Sequence, residues 1–120
     1  MPATRLGKLI QLLHQRTEER KIVWDETIDE NVYQAAFPNY TVQLGYKSTR
    51  GTWGDEEIIY FIKILEANSR IIEEATDIDL NSELENSHQE MENLYKSARR
   101  QAMGLDKALD SILSELENNN

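Results

Sequence analysis

Cysteine is absent from the 120 residues. Its absence excludes disulfide scaffolds, thiolate zinc sites and cysteine nucleophiles together. Long hydrophobic runs are missing as well: none approaches the roughly 18 residues that a membrane helix needs. The N-terminus has no apolar stretch followed by a small-residue cleavage site, the pattern of a secretory leader. These absences predict a cytoplasmic chain. Internal repeats and low-complexity linkers are also lacking, and the length predicts one domain, residues 1–116, with a disordered tail at 117–120.

Positive charge is missing where it would matter for polyanion binding. The net charge is −9, and residues 71–95 hold eight acids without a lysine or arginine, whereas residues 1–21 carry five basic and two acidic groups. Such a balance opposes nonspecific binding to DNA, RNA or anionic lipid, which are held mainly by lysine and arginine on phosphates. It favours a basic partner or simple solubility. Apolar residues are 39% and charged residues 29% of the chain, a composition that folds.

The patterns that are present describe an α+β chain. In residues 4–20, Leu6, Leu9, Ile10 and Leu13 recur at helical spacing, with Arg5, Lys8 and Arg16 left for solvent. Pro2 and Thr4 suit the start of that helix. Strands are predicted over 21–27, where Ile22, Val23 and Trp24 cluster, and over 32–37. Pro38-Asn39 forms a turn. Residues 40–47 alternate, with Tyr40, Val42, Leu44 and Tyr46 on one face, so one side is buried and one is wet. Residues 58–65 are apolar on both faces, which predicts a central strand covered on both sides. Asn68-Ser69 turns the chain into a last strand at 71–75, with Asn68 expected to take the positive φ. The expected sheet is an antiparallel meander of about four strands.

Ser82 and Glu85 have capping-box spacing and predict a helix start. Beyond them two series seven residues apart run through Leu84, Met91, Ala98, Leu105 and Ile112, and through Tyr95, Ala102, Leu109 and Leu116, with His88 in the remaining slot. That is a heptad seam. Gly104 interrupts it, and Asp106 reads as a new N-cap, so two helices are expected, 83–103 and 105–116.

The segment SARRQAMGLDKALDSIL, residues 97–113, with KIVWDET at 21–27 and AAFPNYTV at 35–42, resembles a group of small bacterial domains sharing an ARRQAxGxDKALDxxL-type C-terminal segment. The resemblance implies an N-terminal helix, a few strands and the Arg-Arg helix. It implies no activity.

Chemistry-bearing motifs are sparse. Asp77, Asp79 and Asn81 alternate like the first ligands of a calcium loop, but the sixth and twelfth positions are Ser82 and His88 instead of glycine and glutamate. Capping and strand termination account for them, and neither metal nor cofactor is expected. His14 and His88 lack HxxxH or HExxH spacing and read as ordinary helix residues without local partners. No G-x-S-x-G surrounds a serine, and the glycines of the Lys47–Gly54 loop lack a P-loop ending. Carboxylate pairs such as Glu56-Glu57, Glu73-Glu74 and Asp25-Glu26 point to opposite faces of a strand.

That leaves surfaces. Arg50 and Trp53 sit between glycines in a long loop, and both residue types are favoured at interfaces; the competing reading folds Trp53 back over the sheet edge as core. The helical stripe offers Met91, Tyr95 and Arg99, which either pack on the sheet or pair with another chain, including a second copy. The expected function is a noncatalytic protein-binding or accessory domain without direct nucleic-acid or membrane contact. Two alternatives stand beside it: an acidic imitator of nucleic acid using Glu73 to Glu92, and a small enzyme assembled from distant carboxylates.

Overall fold

The computed structural model describes residues 5–118. The calls on Pro2, Thr4 and the last two residues of the tail lie outside them. Helix α1 spans Arg5–Glu18, five strands follow as β1 Asp25–Glu26, β2 Tyr33–Ala36, β3 Tyr40–Arg50, β4 Glu56–Glu66 and β5 Ile71–Thr76, and helices α2 Ser87–Ala102 and α3 Leu105–Asn118 close the chain. The architecture is α+β, and the sheet is an antiparallel meander in the order β1-β2-β3-β4-β5. Among the described residues no helix is long and apolar enough to cross a membrane.

The alternation read in β3 sets the layers. Val42 and Leu44 are buried and pair with Ile64 and Ile62 on the helix-covered face, while Thr41, Gln43 and Lys47 face the other way. Against that face α2 places Met91, Leu94, Tyr95 and Ala98, all within the buried core. Tyr95 is the hub: its ring meets Tyr33 of β2 at 5.7 Å, Tyr46 of β3 at 5.5 Å and Tyr60 of β4 at 5.4 Å. Its hydroxyl donates to the Asn31 carbonyl at 3.0 Å, so the polar end is satisfied too. Aromatic pairs in such tilted and edge arrangements add about 0.5–1.5 kcal/mol each beyond burial.

Helix α1 packs on α2 and contributes Ile10 and Leu13 to the same core. The connection between α1 and the sheet departs from expectation. Of the strand predicted over 21–27 only Asp25–Glu26 pairs with β2. The preceding backbone is taken by a side chain: Gln101 of α2 accepts from the Trp24 N–H and donates to the Ile22 carbonyl, each at 2.6 Å. Trp24 thereby enters the core at 2% exposure and its indole N–H donates to Thr17 of α1 at 2.9 Å.

Several boundaries shift for local reasons. Ser69 rather than Asn68 takes the positive φ of the β4–β5 turn, because the Asn68 side chain accepts from the Arg70 N–H. The Ser82 capping box does not form. Residues Asp79–Ser82 make one 3-10 turn instead, fixed by reciprocal bonds between Thr76 and Asp79, and α2 starts at Ser87 behind a left-handed Asn86. The break at Gly104 is present, with φ at 70°. Asp106 lies inside the first turn of α3 instead of capping it, since the Gly104 carbonyl already accepts from Ala108. The last helix runs to Asn118, two residues beyond its predicted end.

β4 is covered by helices on one face only. On the other, Phe61 is buried by lying across Gly45, where any Cβ would collide with the ring, and by Lys47 and Lys63, whose ammonium groups sit 5.6 and 5.1 Å from its centroid. The described residues form an elongated body, with a radius of gyration of 16.5 Å against about 14 Å for a compact globule of this length.

Because Tyr95 joins three strands to α2, Tyr95→Ala is expected to cost about 3–5 kcal/mol, measured as a lower urea midpoint at unchanged slope.

Candidate interaction surfaces and a histidine pocket

Two elements extend beyond the core. The first is the β3–β4 hairpin. Both strands run 11 residues, further than predicted, so the loop contracts to residues 51–55. Gly51 donates to the Asp55 carbonyl at 2.7 Å, Gly54 donates back to Gly51 at 3.0 Å, and Gly54 takes φ of 80°. Trp53 is 89% exposed at the tip and does not fold back over the sheet. Arg50 ends β3 and is also exposed.

The second is α3. The heptad seam divides at Gly104: Leu84, Met91, Tyr95 and Ala98 are core, whereas Leu105, Leu109, Ile112, Leu113 and Leu116 are all exposed and α3 buries no residue. Met91 and Tyr95 are therefore internal, which removes them as contact residues; the helix face they share with Leu94 is consumed by the sheet. Arg99 reaches solvent. Helix α3 is tied to the body by Arg20, which bonds Asp106 at 2.9 Å.

The predicted acid pairs and metal candidates separate. Asp79 serves the 3-10 turn, while Asp77 turns inward and is 4% exposed. His14 pairs with Glu18 along α1 at 3.2 Å. His88 is not partnerless either. Its Nδ1 bonds Asp77 Oδ2, and its Nε2 lies 4.0 Å from Glu92 Oε2, one helical turn on. The Tyr60 hydroxyl donates to the same Glu92 oxygen at 3.4 Å, and the Tyr60 and His88 rings stand 5.4 Å apart. Two carboxylates and a histidine thus gather beside an open cavity of about 640 Å³. Asp77 Oδ1 is buried and has no hydrogen-bond partner.

A larger cavity of about 720 Å³ lies between the end of α1, Trp24 and the start of α3. Of its ionic groups, Glu18 accepts from the Ser97 hydroxyl at 2.8 Å and Arg20 pairs with Asp106.

The His88–Glu92 spacing was visible in the sequence as an i, i+4 pair. Asp77 was not, because it reaches His88 only after the 3-10 turn folds the connector under α2.

Burial raises the Tyr60 hydroxyl above its ordinary value, and the Glu92 carboxylate adds to the shift. Burial likewise raises Tyr95, with Tyr33 and Tyr46 adding to it. Both groups hold their protons more tightly folded than unfolded, so their contribution is complete below the ordinary tyrosine value of about 10 and is lost as pH rises above it. Urea titrations should show a midpoint that falls above that pH, and a smaller fall in Tyr60→Phe.

No family model, curated protein or solved structure matches the chain.

Proposed function

We propose that this chain is a noncatalytic binding module that docks the apolar stripe of α3 against an amphipathic helix of another protein. The observation that carries the reading is that Leu105, Leu109, Ile112, Leu113 and Leu116 form one continuous helical stripe, none of it buried. Isolated stripes of this size on a small domain mark interaction sites. A free helix of 14 residues is marginal in water, since few of its hydrogen bonds repay the cost of nucleation. Docking supplies the missing support.

Charge narrows the partner. At helical spacing Asp110 and Glu117 border the stripe on one side, beside an Asp106 already paired with Arg20, and Glu115 borders it on the other, while Lys107 lies opposite. Two copies of α3 would bring these acidic borders together, as like charges meet across a coiled-coil seam. A helix with basic borders complements them. The exposed Trp53 and Arg50 of the hairpin tip form a second contact in this reading, as a rigid aromatic anchor beside a guanidinium.

The acidic-imitator reading draws on Glu73, Glu74, Asp79, Glu85 and Glu90, which reach solvent along the edge strand β5, the connector and the start of α2. It predicts a complex that weakens steeply with salt, whereas docking through α3 is held mainly by apolar burial. A catalytic reading draws on the His88 cluster. Against it, the Ser87 hydroxyl donates to the Asp77 carbonyl and so does not engage His88.

The test introduces Leu109→Asp and Ile112→Asp together in the full chain. Both positions are exposed, so the urea midpoint should change little while pull-down of specific partners is lost. Unchanged capture by the double variant contradicts docking through α3, and dimers of the isolated chain by sedimentation would make the second copy the occupant. In the same assay, Trp53→Ala and Arg50→Ala should weaken capture; full binding by both removes the hairpin tip from the reading.

A further inference from the structure

The Tyr33 hydroxyl is poorly served. Tyr33 is 6% exposed, and among the described residues its hydroxyl donates to one acceptor, the thioether sulfur of Met103, at 3.5 Å. A thioether accepts weakly, so a donor at the edge of the core is held by a poor bond where a buried polar group needs a good one. Met103 is the C-cap of α2, its N–H donating to the Arg99 carbonyl at 2.9 Å, and it precedes the Gly104 at which the chain turns into α3.

The sulfur is also within reach of small reagents. Met103 is 53% exposed, whereas Met91 is 1% exposed under the sheet. With Tyr33 and Arg99, Met103 lines a cavity of about 200 Å³, which leaves room beside the sulfur for one more atom.

We propose that Met103 is a site of reversible oxidation by hydroperoxides, and that its sulfoxide fastens the last turn of α2 to β2. With hydrogen peroxide, the sulfur lone pair attacks one peroxide oxygen. The S–O bond forms as the O–O bond breaks, sulfur loses two electrons, and the departing hydroxide takes the proton of the transferred oxygen and leaves as water. The new oxygen is a far better acceptor than the thioether, and it is carried by the atom that the Tyr33 hydroxyl already faces. Arg99 brings guanidinium donors to the same cavity. Methionine oxidation loosens a core when it places a polar group among apolar ones. Here the sulfur lies at the surface opposite a donor that lacks a strong acceptor, so the sign is reversed and the oxidised chain is the more stable one. The junction with α3 is tightened with it, whatever docks on that helix. Methionine sulfoxide reductases supply the return path.

The test treats the full folded chain with hydrogen peroxide, locates the added oxygen by peptide mass mapping and measures urea unfolding before and after. Oxygen should enter at Met103 while Met91 stays unmodified, and the urea midpoint should rise by about 0.5 M, one hydrogen bond divided by a typical slope. Treatment with a methionine sulfoxide reductase should return the midpoint to its starting value. Tyr33→Phe should still be oxidised at Met103 but gain much less, and Met103→Leu, which keeps the other methionines, should gain nothing. A midpoint that falls or stays unchanged on oxidation of Met103 overturns the proposal, as does an equal rise in Tyr33→Phe or in Met103→Leu. Oxidation of Met91 at the same rate as Met103 in the folded chain would overturn it as well.

Discussion

Tyr95 joins the two layers of this molecule, since its ring contacts a tyrosine on each of β2, β3 and β4 while its helix also carries α1. The constraint behind that arrangement is width. The buried face of the sheet is formed by short β2, the inner halves of β3 and β4, and Ala75 of β5. One amphipathic helix fills it. Once α2 has laid Met91, Leu94, Tyr95 and Ala98 there, the buried part of that face is filled, while Tyr40, Ile58, Ile71 and Ile72 stay exposed elsewhere on the sheet.

The rest of the chain follows from that saturation. Helix α1 packs on α2 and is held by Trp24, whose indole reaches Thr17 while its backbone bonds Gln101. Helix α3, turned away at Gly104, keeps an apolar stripe that nothing within the described residues covers. The outer half of the β3–β4 hairpin likewise runs past the helices, which exposes Ile58 and opens the cavity beside His88. Both candidate surfaces are therefore products of one mismatch, between the apolar surface that the chain carries and the area that a single helix and a small sheet can bury.

Local periodicity made much of this legible. The alternation through Tyr40, Val42, Leu44 and Tyr46 predicted which side of β3 is buried, and Gly104 marked the break between the last two helices. Long-range pairing hid the rest. Trp24 looked like a strand residue because Ile22 and Val23 flank it, but Gln101, 77 positions away, claims its N–H. Heptad spacing showed that Met91, Tyr95, Leu109 and Ile112 share a stripe; it carried no information about what covers each part. The two-sided reading of β4 came from Ile59, Phe61 and Leu65 on its second face; there Phe61 lies across Gly45 beneath the Lys47 and Lys63 ammonium groups rather than under a second layer. The His88 site was concealed by the 3-10 turn, whose short hydrogen-bonded loop brings Asp77 beneath the helix.

Native-state hydrogen exchange of the isolated chain tests the central claim most directly. If the core ends with α2, the amides around Leu94 and Tyr95 exchange only through global unfolding, whereas those around Leu109 and Ile112 exchange orders of magnitude faster. Equal protection of the two helices in a monomer would contradict the account, because it would mean that α3 draws its stability from the same core.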